Sequence, residues 1–153
     1  MGSEEIYNSI KVNEEIITAG QPTAAQLVSL AGEGFVTVIN LATNDPQYSL
    51  PDEAGTVRSL DIIYHHIPVD WEAPQENDFY EFERLMVQLP VGKTLIHCAA
   101  NYRVTAFYGL YAQKNLGWTA AMADEFRATI WAGSNNPVWE IFITEMRRKL
   151  RLL

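Results

Sequence analysis

Four short apolar runs, each followed by a segment of different character, constrain this chain more than any other feature it carries. Ile16 to Ala19, Val36 to Leu41, Ile62 to Ile67 and Thr94 to His97 read as strands. Gly20, Gln21 and Pro22 turn the first of them into a helix capped by Thr23, whose apolar face is Ala24, Leu27 and Leu30. Gly32 and Gly34 offer that helix a left-handed stop. Pro68 closes the third strand, and from Asn77 to Leu89 the residues Phe79, Phe82, Met86 and Leu89 share one helical face. Asp78 and Glu81 stand in its first turn, where the helix dipole favours negative charge. Beyond the last strand, Val104, Phe107, Tyr108 and Tyr111 follow the spacing of a helix packed on a core, and Gly117 stops it. Thr119 caps a further helix bearing Met122, Phe126 and Ile130; Asn136 and Pro137 open a last one that reaches the C-terminus. The stretch from Pro46 to Leu60 shows no clear period. This alternation predicts an α/β fold: one domain over residues 1–153, with a central, mostly parallel sheet of about four strands flanked by helices. Ligands of such sheets gather at the carboxyl ends of the strands.

Composition narrows the function. With 48% hydrophobic and 20% charged residues in 153, the chain can build one core and is not disordered. No apolar run approaches the roughly 20 residues of a membrane span. The net charge of −8 disfavours nucleic acid and, more mildly, highly anionic substrates. Arg147, Arg148, Lys149 and Arg151 cluster near the C-terminus, where cations complement the dipole of the last helix. A single cysteine excludes an internal disulfide. The opening MGSEEIYNSI lacks the basic-then-apolar pattern of a secretory leader, so the cytoplasm is the default compartment; a leader removed ahead of this start would make the protein an exported one. His65 and His66 are adjacent on a strand and point to opposite faces, so they cannot clasp one ion, and no metal or cofactor is expected.

The chemistry concentrates in His97 to Arg103, HCAANYR. A strand that ends here and a helix that begins within six residues aim several free backbone N–H groups at one point, which is an anion site. The same field favours the thiolate of Cys98 over a merely buried thiol, and the planar fork of Arg103 matches two oxygens of a phosphate. His97 either orients this loop by hydrogen bonding and helps keep the thiolate ionised, or is an ordinary polar residue at a strand end. Trp71, Tyr102 and Trp131 are wall residues for a cleft or simply core aromatics.

The segment TLIHCAANYRVTAF, with HHIPVDW, ITAGQPT and VTVINLAT before it, resembles the protein tyrosine phosphatase superfamily, and within it a group of bacterial dual-specificity-like phosphatases. The resemblance implies a dual-specificity phosphatase-like fold and a metal-independent phosphatase acting on a phosphorylated protein or small molecule. It makes Cys98 the nucleophile that forms a phosphocysteine, and gives the phosphate to Ala99, Ala100, Asn101, Tyr102 and Arg103. Asp70 becomes the proton donor, ahead of its acidic neighbours Glu72, Glu76 and Asp78. The spacing departs from the superfamily pattern: four residues, not five, separate Cys98 from Arg103, and the loop glycine is missing. Asn101 is its best substitute, because asparagine tolerates the left-handed backbone. Val104 replaces the hydroxyl residue that usually follows the arginine, while Thr105 keeps that hydroxyl's distance from Cys98. Either the loop is contracted and Thr105 is merely near, or the loop keeps its length, Thr105 is a supporting residue and Arg103 alone is displaced. The shortened spacing is also that of rhodanese-like sulfurtransferases, and an oxyanion- or phosphoprotein-binding module without turnover is a third reading.

Overall fold

A computed structural model describes residues 2–152. Five strands form one sheet in the order β1-β2-β5-β3-β4: β1 Ile10–Lys11, β2 Ile16–Ala19, β3 Phe35–Asn40, β4 Ile63–His66 and β5 Lys93–His97. The four strands read from sequence are the parallel ones, each within a residue or so of its expected bounds. The expected count of about four becomes five because β1 pairs antiparallel with β2, setting Ile10 opposite Thr18. Two residues are too few to leave a period.

Among the described residues six α-helices cover the two faces: α1 Ala24–Leu30, α2 Glu53–Arg58, α3 Glu76–Met86, α4 Tyr102–Asn115, α5 Ala120–Trp131 and α6 Pro137–Lys149. Thr23 caps α1 in a box with Gln26, and the chain leaves that helix through Gly34 at φ 90°. Asn136 caps α6 with Pro137 in its first turn, and the helix stops at Lys149 instead of running to the chain end. The helix expected over 77–89 ends at Met86, leaving Leu89 outside it, and α2 appears in the stretch without a period.

Strand alternation divides the core in two. Ile16, Ile39 and Ile96 face a cluster built with α3, α4 and α6, whereas Ile17, Val38 and Leu95 face a smaller one with Leu27, Leu30 and Val57. The central helix is α4, buried on nearly every side, as a helix with apolar residues all round must be. Three of the four terminal cations are paired: Arg147 with Asp124 at 2.8 Å, Lys149 with Glu76 at 2.7 Å, and Arg148 with Glu145. No helix among the described residues is long and apolar enough to cross a membrane.

Candidate active site

Between the end of β5 and the start of α4, four residues, 98–101, turn the chain at the carboxyl edge of the sheet. Every carbonyl of this turn is held from outside. Cys98 O accepts from His97 Nδ1 at 3.1 Å, and Ala99 O from the Gln21 N–H at 2.9 Å. Ala100 O accepts from Asn8 Nδ2 at 3.0 Å, and Asn101 O from the Thr105 N–H and Oγ1 at 3.2 and 2.9 Å. In a trans peptide the next N–H points opposite to the carbonyl, so the amides of residues 99–102 turn the other way. Among the described residues, the N–H groups of Ala99, Ala100, Tyr102 and Arg103 find no hydrogen-bond partner. The turn closes with Asn101 at φ 68°, the left-handed conformation its sequence position calls for. Asn101 Nδ2 anchors that residue to Asn8 O at 2.8 Å and to Thr18 Oγ1 at 3.1 Å.

These residues floor a cleft of about 280 Å³ lined by Cys98, Ala99, Ala100 and Arg103, with Tyr7, Trp71 and Tyr102 as its walls. Cys98 is only 1% exposed, the placement of a group at the bottom of a narrow cup. Arg103 is also buried, and its Nη1 donates to Val69 O at 3.0 Å, which holds one prong of the guanidinium and ties it to the loop after β4. Because α4 begins at Tyr102, Arg103 stands in its first turn and Val104 enters the core. Thr105 does not line the cleft; it stitches the helix start, bonding Asn101 O and accepting from Trp131 Nε1 at 3.2 Å.

His97 is completely buried and is more than an ordinary polar residue. Its Nδ1 must donate, since Cys98 O is only an acceptor, and its Nε2 meets Glu53 Oε2 at 2.6 Å. Gln21 Nε2 donates to the other oxygen of Glu53 at 2.7 Å. Burial alone would push the Glu53 carboxyl up, but hydrogen bonds from His97, Gln21 and Tyr64 and the charge of His97 outweigh it and hold the carboxyl below its usual range. Sequence reasoning missed Glu53, which lies in the stretch without a period, and also Tyr7 and Asn8. The Gly-Gln-Pro turn was visible, but not what its glutamine touches.

Asp70 is exposed, with Oδ1 accepting from the Glu72 N–H at 2.9 Å, and it does not line the cleft. Its neighbour Trp71 does. Trp71 stacks on Trp139 with centroids 5.4 Å apart, and Trp139 Nε1 donates to Trp71 O at 2.7 Å, so the loop bearing Asp70 is pinned to α6. Of the neighbouring acids, Glu76 is paired with Lys149 and Asp78 accepts from the Gln75 N–H within the first turn of α3. Trp131 is buried behind Tyr102, their centroids 4.8 Å apart, and supports the wall without lining it.

No family model matches the chain. Curated relatives include a "Beta-lactamase hydrolase-like protein" of Xylella fastidiosa, 26% identical over 104 residues that make up 66% of this chain but 24% of that protein. The chain thus spans about a quarter of the length of the curated relatives it matches, and what those longer proteins do is not carried over. Among solved structures, Tk-PTP shares the fold with a TM-score of 0.79 at 18% identity, covering 95% of this chain and 98% of that one. A candidate phosphatase of the DUF442 group from Shewanella putrefaciens CN-32 is 30% identical with a TM-score of 0.85, covering 96% of this chain and 95% of its own. With that similarity running over nearly the whole length of both chains, this protein belongs to the DUF442 group, and its fold is the one it shares with Tk-PTP.

Proposed function

We propose that the protein is a metal-independent phosphatase of the dual-specificity type, hydrolysing phosphate monoesters through a phosphocysteine. The observation that carries this is that all four loop carbonyls are hydrogen-bonded while the N–H groups of Ala99, Ala100, Tyr102 and Arg103 have no partner among the described residues, in a loop that lines one cleft with Cys98 and Arg103. Preorganised donors of that kind act on charge as it develops, with no reorganisation at the moment of reaction. The Cys98 thiolate attacks phosphorus while the bond to the leaving oxygen breaks, and the amides of Ala99, Ala100, Tyr102 and Arg103 with the Arg103 guanidinium hold the equatorial oxygens. Asp70 protonates the leaving oxygen. Its carboxylate then takes a proton from water, whose oxygen displaces the sulfur and releases inorganic phosphate and the thiolate. His97, bonded to the Cys98 carbonyl, orients the loop, and Thr105 supports it from the helix. For Asp70 to reach the leaving group, its side chain rotates off the Glu72 amide while Trp71 keeps the loop against the cleft.

A side-by-side assay of aryl phosphate hydrolysis and thiosulfate sulfur transfer tests this reading, with Cys98→Ser as control. Phosphate release that disappears in Cys98→Ser is the expected result. Sulfur transfer alone makes the protein a sulfurtransferase, and silence in both makes it a binding module.

A further inference from the structure

Gln21 belongs to a turn that the phosphatase reaction leaves without a role, and Glu53 is a carboxylate only 6% exposed. Yet both end on the residue before Cys98. The chain of contacts runs from Gln21 Nε2 to Glu53 Oε1 at 2.7 Å, from Glu53 Oε2 to His97 Nε2 at 2.6 Å, and from His97 Nδ1 to Cys98 O at 3.1 Å. We propose that Glu53 and Gln21 are positioning residues of the catalytic loop: Glu53 keeps a proton on His97 Nε2, and the resulting imidazolium holds the Cys98 sulfur in its ionised form.

The hydrogen-bond inventory decides where the shared proton sits. Nδ1 of His97 already carries a hydrogen, because a carbonyl cannot donate one. The remaining proton belongs either to Nε2, giving imidazolium and carboxylate, or to Glu53, giving two neutral groups. Two side chains reach the Glu53 carboxyl within hydrogen-bond distance, His97 Nε2 at 2.6 Å and Gln21 Nε2 at 2.7 Å, one on each oxygen. An ionised carboxylate is an acceptor at every lone pair, and each donor favours it over the acid. The charge therefore sits on His97, one residue from the nucleophile and inside a low-dielectric core, where it acts with little screening.

The surrounding charges do not supply a substitute. Facing Glu53 are Tyr64 from β4, His97 from β5 and Gln21 from the turn after β2, while Asp52 and His66 line the adjoining cavity and Arg58 lies over the Tyr64 ring, 5.7 Å from its centroid. His66 Nε2 is spent on Ala42 O at 2.6 Å. On the cleft side, Cys98 has Arg103, Tyr7 and Tyr102 as ionisable neighbours. Arg103 lines the cleft with Cys98 and makes no contact with Glu53, so only the His97 route depends on that carboxylate.

The proposal rests on the Cys98 chemistry given above, but its readout needs no turnover. The chain has one cysteine, so the pH dependence of its alkylation by iodoacetamide, checked by thiolate absorbance near neutral pH, reports Cys98 alone. Glu53→Gln keeps the shape and presents an amide that donates to a neutral His97. It should move the midpoint of thiolate formation up by about one pH unit, a roughly ten-fold loss of alkylation rate at pH values well below both midpoints, with the acid limb of kcat/KM moving equally. Gln21→Leu, at a half-buried side chain, should shift the midpoint the same way by a smaller amount, and it serves if Glu53→Gln fails to fold. A midpoint within about 0.2 pH unit of wild type in the folded variants overturns the proposal. A wild-type protein that forms the thiolate but releases no phosphate overturns the phosphatase reading instead, and leaves this titration intact.

Discussion

Replacing Gly20 by alanine tests whether the catalytic loop is held in place from the β2 turn. A Cβ at this position would meet Ala99 O at 2.7 Å, Tyr7 Cδ2 at 2.8 Å and Tyr7 O at 3.0 Å. Two of the three are backbone oxygens. The closest approach falls about 0.7 Å short of ordinary van der Waals contact, so something must move. Neither side yields freely: the Gly20 N–H is bonded to Tyr7 O at 2.7 Å, and the Gln21 N–H to the same Ala99 carbonyl at 2.9 Å. Overpacking of this kind costs about 1–3 kcal/mol, which for a domain of this size lowers Tm by about 2–4 °C per kcal/mol. If the Ala99 peptide takes up the displacement, the amide donors on either side of it tilt with it. Misplacement of about 1 Å costs up to about 10²-fold in rate, so kcat/KM for an aryl phosphate should fall by roughly ten- to a hundred-fold. Vanadate inhibition should weaken in parallel. Gly32→Ala, with no atom within 4 Å of its added Cβ, is the matched control and should behave as wild type. Wild-type Tm and kcat/KM in Gly20→Ala would show that the loop is not braced by this turn, and would remove the reasoning behind its geometry.

Other expectations follow from the same contacts. Arg103→Lys keeps the charge but loses the two-pronged fork and the Val69 bond, and should lower kcat/KM by about 10²–10³-fold in steady-state assays. Asp70→Asn should slow hydrolysis of alkyl phosphates far more than that of nitrophenyl phosphate; equal loss on both would take the acid role from Asp70. Asn101→Ala should cost more than Asn101→Gly in denaturant melts, by about 1–2 kcal/mol, because both lose the bonds to Asn8 and Thr18 but only alanine resists φ 68°. The Glu53 carboxyl is held below its usual 4.5, so its contribution to folding is complete above that pH and drains away as pH falls below it. Urea midpoints should therefore drop more steeply in wild type than in Glu53→Gln between about pH 5 and about pH 3.

Much of this protein is written locally. The four parallel strands, the Thr23, Thr119 and Asn136 caps and the stop at Gly34 come from side chains acting on their own backbone, and the structure keeps them. The left-handed place of Asn101 was legible for the same reason, and Cys98 and Arg103 stood out because strand, short loop and helix follow one another without a break. What could not be read is what only distant segments bring together. The fifth strand exists because β2 offers it an edge, and α2 because Asp52 caps six residues with no period of their own, accepting from the Gly55 N–H at 3.2 Å. Glu53 meets His97 across 44 positions of sequence, and Asn8 reaches Ala100 across 92. A buried carboxylate is stable only where tertiary packing surrounds it with donors, and no spacing in the chain announces that. Sequence alone therefore set which residues could make an anion-binding turn; the packing of β2, α2 and the N-terminal segment against it decided which way its peptides face.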